Sequence, residues 1–183
     1  GCVPAGIVGL LFDDLIDKWL YHWYIVAVML IVYGILFIVV ENYQKGRKPK
    51  VTKMSQLTVP MILIIGVFQM LALIPGTSRS GATIVGALMI GVSRGLAAEY
   101  TFFLAIPVMF GASLVKLVKF GFDFTVMQAV LLVLGMAVSF AVSILAIKFL
   151  LGYIRKNDFK VFGYYRIVLG IVVLLYFGIM SLL

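Results

Sequence analysis

A chain of 183 residues that is 64% hydrophobic and only 12% charged, with mean hydropathy +1.19, cannot hide its apolar side chains in a soluble core. Its net charge of +8 would suit a nucleic-acid binder, but in so apolar a chain it reads as basic loops that orient a membrane protein, with no nucleic-acid partner. The single cysteine, Cys2, excludes an internal disulfide and gives no metal-ligand spacing.

The chain opens Gly1-Cys2-Val3-Pro4 with no initiator methionine and no basic flank. Its first apolar run, 3–12, is too short to cross a bilayer and reads as the tail of a helix that begins upstream. A single membrane domain over 1–183, truncated at its N-terminus, is therefore expected. The acids Asp13, Asp14 and Asp17 follow, and then the lone histidine, His22, between Trp19, Tyr21, Trp23 and Tyr24. That cluster reads as an interfacial aromatic belt rather than a catalytic centre.

Residues 24–40 are the first spanning candidate and end in a loop carrying Lys45, Arg47, Lys48, Lys50 and Lys53. A second run, 57–74, stops at Pro75-Gly76, and a helix over 81–92 is too short to span alone. Residues 96–120 follow, with a kink expected at Pro107, then 126–154, a basic loop with Arg155, Lys156 and Lys160, and a last run over 164–183. Placing the loops at 41–53 and 152–162 on the cytoplasmic side satisfies the positive-inside bias twice, and leaves Asp13, Asp14, Asp17 and Asp123 outside. Residues 57–92 must then enter and leave on one side. The expected fold is an all-α polytopic membrane bundle with a re-entrant helix–loop–helix, its polar tip buried in protein or lining a wet cavity.

That tip reads Pro75-Gly76-Thr77-Ser78-Arg79-Ser80-Gly81-Ala82-Thr83. Pro75 ends one helix, Gly76 and Gly81 permit backbone geometries closed to other residues, and Ser78 or Ser80 is placed to cap the next helix. A helix start presents unpaired N–H groups, Arg79 adds a forked donor set, and Thr83 lies one turn on. Every group there donates, so the fitting ligand is an anion. A charge at membrane depth costs about 2.5–3.5 kcal/mol, which favours a use for Arg79 over an accident. The structural alternative is that Arg79 caps a neighbouring helix. The pattern Gly76-x-x-x-x-Gly81-Ala82-Thr83 mimics a P-loop, but alanine replaces the lysine and a helix, not a strand, precedes it.

Gly66-Val67-Phe68-Gln69, then Ala72-Leu73-Ile74 through Ile84, closely resembles the second signature of the undecaprenyl-diphosphate phosphatase family, also called the bacitracin-resistance family. The likeness continues through Gly91-Val92-Ser93-Arg94, Ala98-Glu99-Tyr100-Thr101-Phe102 and Leu104-Ala105-Ile106-Pro107, and more weakly through the Tyr165-Arg166 pair. The resemblance implies hydrolysis of undecaprenyl diphosphate to the monophosphate and inorganic phosphate, recycling a cell-wall lipid carrier. It places the protein in the bacterial cytoplasmic membrane, with the site facing the outer side. It implies that Ser78, Arg79 and Thr83 serve the diphosphate site, with Thr77, Ser80 and the glycines Gly76 and Gly81 shaping it. It also implies Mg²⁺ or Ca²⁺, with no ligand nameable in this chain. The family's glutamate-rich first signature, ending in histidine, has no match here, so a missing N-terminal segment is expected to complete the site and this chain alone to be inactive. The competing reading is a transporter or flippase of an anionic or phosphorylated lipid.

Two further residues are candidates for contact with substrate. Glu99 reads either as an acid favoured by its helix start or as a partner of Arg79. Gln69 reads either as a donor to the loop or a ligand oxygen, or as interhelical glue. Arg94 reads as a snorkelling or capping residue, and Ala82-x-x-x-Gly86 and Ala87-x-x-x-Gly91 as a close-packing face. The residues leave a homo-oligomer open.

Overall fold

A segment in lipid must satisfy its own backbone N–H and C=O groups, so apolar runs become helices. The computed structural model describes residues 1–120 and 125–180. Its helices are α1 Cys2–Leu20, α2 Trp23–Gln44, α3 Val59–Met70, α4 Arg79–Met89, α5 Arg94–Phe120, α6 Val126–Lys156 and α7 Lys160–Met180. Helices α2, α5, α6 and α7 are long and apolar enough to cross a membrane, which defines a multi-pass helical bundle. Helices α3 and α4 have 12 and 11 residues. At about 18 and 16 Å they fall well short of a hydrocarbon core of about 30 Å.

The run at 3–12, expected as a short tail, belongs to a 19-residue helix. Neither proline nor glycine interrupts 10–20, so α1 continues through Asp13 and Asp14 to Leu20. Helix α5 also continues through Pro107. Asp123 lies outside the described residues, as do the side chains of Asp13, Asp14 and Asp17.

The α3–α4 pair is a hairpin that returns to its starting end. Helix α4 closes on Gly91, whose φ of +88° lets its N–H reach Leu88 O and the Val92 N–H reach Ala87 O. The chain just beyond meets the basic loop that precedes α3. Lys50 and Val51 both donate their N–H groups to Gly91 O, and the Ser93 N–H donates to Val51 O. The helices of the hairpin approach closely because Gly86 has no side chain: a Cβ there would sit 2.6 Å from the Phe68 ring. Ala82 and Ala87 are buried beside it.

Helices α2 and α7 run antiparallel at backbone contact. A Cβ on Gly163 would lie 2.7 Å from Gly34 O, one on Gly34 would lie 2.7 Å from Gly163 O, and one on Gly170 would lie 2.8 Å from Ala27 O. Close approach of this kind, rather than apolar burial, is what holds helices together in lipid. Gly163→Val is expected to cost about 1–3 kcal/mol by overpacking. Thermal unfolding in detergent checks this against Gly135→Val in α6, where an added Cβ meets nothing within 4 Å. Equal melting temperatures for the two variants would remove the packing argument.

At the basic end a charged pair ties three elements together. Arg94, in the first turn of α5, forms an ion pair with Glu41 near the end of α2. Glu41 is only 2% exposed, and its second oxygen accepts the Phe159 N–H just before α7 at 3.4 Å. Arg94, read from the sequence as a snorkelling or capping residue, is thus paired with an acid. On the other side of the bundle α6 touches α5 lightly, and residues 126–149 are all exposed.

Candidate functional site at the hairpin tip

The tip is built by a tight turn and a capped half-helix. Ile74 to Thr77 closes with the Thr77 N–H on Ile74 O at 3.1 Å, with Pro75 second and Gly76 third at φ +86°. Gly76 is required twice over. Its φ is closed to most residues, and a Cβ would sit 2.4 Å from the Val26 carbonyl oxygen of α2. Gly76→Ala is therefore expected to lower the melting temperature of the chain in detergent. Gly46→Ala, at φ +81° but with nothing within 4 Å, carries the backbone cost alone and is the control. An equal effect of the two substitutions would show that the contact with α2 is unimportant.

Of the two serines that could cap α4, the structure selects Ser78, whose Oγ accepts the Gly81 N–H at 3.1 Å. Ser80 is exposed, with its Oγ 3.0 Å from Ser78 Oγ. Gly81 is tight, since a Cβ would come 3.0 Å from the Phe37 ring and 3.1 Å from Ser78 Cβ. Thr77 Oγ1 is buried and has no hydrogen-bond partner. Because α4 is a half-helix that starts at the tip, its open N–H groups lie about 16 Å from the basic end.

Thr83 lies one turn further on, 1% exposed. Its hydroxyl is 2.9 Å from Thr101 Oγ1 on α5, and Thr101 in turn donates to Ala97 O at 2.8 Å. The Thr83 hydroxyl also approaches Arg79 O and Ser80 O at 3.1 and 3.0 Å. It therefore couples α4 to α5. Gln69 is 3% exposed on α3, and its amide pairs with no described residue.

Two cavities meet at the start of α4. One, of about 320 Å³, is lined by Ser78, Ser80, Gly81, Thr101, Tyr165 and Arg166. The other, of about 680 Å³ between α5 and α6, is otherwise apolar and is lined by Arg79, Glu99 and Ser143 among Phe103, Ile106 and Met109. Phe102 lines both. Arg79 is half-buried and makes no hydrogen bond or ion pair to a described residue. Glu99 shares its cavity without pairing with it. The start of α4 thus stands between two guanidinium groups.

Arg166 and Thr101 were not among the residues singled out as candidates. Arg166 sits on α7 with its guanidinium carbon 5.9 Å from the Phe37 ring centre, and its Nη1 is buried without a partner. The signal for it was present: a cation two residues into an apolar run falls under the rule that picked out Arg79. Thr101 lay in a stretch that carries the family resemblance but offered no chemical signal of its own, since a threonine in an apolar helix usually bonds its own backbone.

The described residues gather no ligand set for a divalent cation. Among the described residues no three acidic, histidine or cysteine side chains converge. Glu41 is committed to Arg94, Glu99 stands alone beside Arg79, and the other groups around Ser78 are donors or cations.

Fold and composition together define a class: a multi-pass helical membrane protein with a hydroxyl- and arginine-bearing turn at the start of its short helix α4. The chain belongs to the bacitracin resistance protein BacA family, whose profile it matches over residues 1–172. It is 62% identical over 178 residues to an undecaprenyl-diphosphatase of Desulfitobacterium hafniense, covering 97% of this chain and 64% of the relative. It is 61% identical over 175 residues to an undecaprenyl-diphosphatase of Acetivibrio thermocellus, covering 96% and 64%. An undecaprenyl-diphosphatase of Enterococcus faecalis is 62% identical over 174 residues, covering 95% and 63%. The chain thus spans just under two thirds of the length of the curated relatives it matches.

Proposed function

We propose that this chain carries the phosphate-holding part of a lipid-diphosphate phosphatase, which hydrolyses undecaprenyl diphosphate to undecaprenyl phosphate and inorganic phosphate. The observation that carries the reading is the capped start of α4 standing between Arg79 and Arg166, neither of which has an anionic partner among the described residues. A diphosphate brings two or more negative charges into a low-dielectric site, and each guanidinium offers a fork that fits two phosphate oxygens.

In this reading Ser78 and Arg79 touch the diphosphate, and Arg166 holds it from the facing helix. Thr77 and Ser80 add hydroxyl donors, while Gly76 and Gly81 keep the backbone close to the anion. Thr83 acts through Thr101 by fixing α4 on α5, and Glu99 and Gln69 line the approach. Hydrolysis breaks the bond between the terminal phosphorus and the bridging oxygen, and charge builds on that oxygen as it leaves. Fixed cations stabilise this charge without reorganising. The group that activates the attacking water comes from outside the described residues, and so do the ligands of any divalent cation. The membrane is the bacterial cytoplasmic membrane, with the hairpin tip opening to its outer side and the lysine-rich loop inside.

The test is a chimera in which this chain replaces the matching residues of the Desulfitobacterium hafniense relative. In detergent, where no second compartment exists, the chimera is expected to release inorganic phosphate from undecaprenyl diphosphate. Binding without release would instead support a carrier that moves the lipid.

A further inference from the structure

We propose that the opposite end of α4 carries a second anion site, which takes the phosphate of an anionic phospholipid headgroup. The place is a cavity of about 230 Å³ lined by Gln44, Arg47, Ser93, Arg94 and Gly95 over an apolar floor that includes Leu88. It is separated from the hairpin tip by the length of α4, about 16 Å for 11 residues. The phosphatase reading makes no use of it.

Its two guanidinium groups are held in place yet keep free donors. The guanidinium carbon of Arg47 lies 3.8 Å from the centre of the Tyr43 ring. Stacking of this kind occupies the face of the group and leaves its N–H edge open. Arg94 commits Nη2 to Glu41, while its Nε is buried with no hydrogen-bond partner. Gln44 donates to Leu88 O, which satisfies a carbonyl at the end of α4 that would otherwise face an incoming anion. Among the described residues the one carboxylate paired with these groups, Glu41, is already committed to Arg94 and does not line the cavity.

Depth and size select the ligand. Helix α2 ends at Gln44, α5 begins at Arg94 and Ile154 stands near the end of α6, so the cavity lies where the bundle leaves the hydrocarbon. Lys45, Lys48, Lys50 and Lys53 follow α2 at this end. Basic pockets between membrane helices at this level suit lipid headgroups. The cavity is smaller than the about 300–1,000 Å³ of pockets that enclose whole small molecules. A phosphate held by Arg47 and Arg94, with its glycerol against Leu88, Val92 and Ile154, uses both the polar rim and the apolar floor.

The experiment uses the chain in detergent, with phosphatidylglycerol, phosphatidylcholine and inorganic phosphate as separate probes, read by native mass spectrometry and melting temperature. Phosphatidylglycerol is expected to be retained in preference to phosphatidylcholine, and Arg47→Gln to weaken its retention about fivefold. Lys45→Gln, in the same loop but off the cavity, is expected to change little. Arg94→Lys keeps a charge for Glu41 but loses the fork, and is expected to lose lipid without losing the fold. Equal retention of the two lipids, or equal losses in Arg47→Gln and Lys45→Gln, would overturn the site. Stabilisation by inorganic phosphate alone, dependent on Arg47 and matching that by phosphatidylglycerol, would overturn the lipid assignment.

Discussion

Arg79→Ala in the chimera is expected to lower phosphate release from undecaprenyl diphosphate about 10²- to 10³-fold, the usual loss when one donor to developing charge is removed. The size follows from position. Arg79 opens on a cavity that is largely apolar, so water cannot replace it well, and no described carboxylate neutralises it. Arg79→Lys keeps the charge but loses the fork, and is expected to recover only part of the rate. Because the Arg79 side chain is half-buried and makes no hydrogen bond or ion pair to a described residue, neither substitution should lower the melting temperature appreciably. A variant that melts early would show a structural role instead. Activity retained in Arg79→Ala with an unchanged melting temperature would remove the residue from the site, and Arg166 would be the cation to test next.

A comparable effect on stability is expected at the other end of the bundle. Arg94→Ala should destabilise the fold by about 3 kcal/mol, the low end for breaking a buried pair, because it leaves Glu41 charged and only 2% exposed. The low end applies because Arg94 itself is 40% exposed and part of its charge is already screened by solvent. The double variant Glu41→Leu with Arg94→Met should recover much of the loss, since no unpaired charge then remains inside. Chemical or thermal unfolding in detergent measures both. If the double variant is as unstable as Arg94→Ala alone, the pair matters for its geometry across α2, α5 and Phe159 rather than for charge compensation.

Much of this arrangement was legible before any coordinates. The helical runs, the short helix pair and the donor-rich turn between them rest on local chemistry: apolar length, Pro75-Gly76, and a hydroxyl beside Gly81. The boundary at α1 needed adjustment, because helices accept isolated acids when nothing else interrupts them. The reading of Arg94 as a snorkelling or capping residue gave way for a different reason. Its partner, Glu41, is 53 positions away, and only the return of the α3–α4 hairpin to the basic loop brings the two together.

The tip itself shows the same division. By itself the sequence determined that 75–83 would hold donors at the start of a helix, because capping and turn chemistry act over three or four residues. Tertiary structure alone decided which serine caps, that Gly76 lies against the Val26 carbonyl, that Thr83 turns to Thr101, and that Arg166 faces the same helix start as Arg79. Those facts depend on how α2, α5 and α7 pack around the hairpin. In lipid that packing is set by backbone contact at residues such as Gly34 and Gly163, a property of the assembled bundle rather than of any one segment.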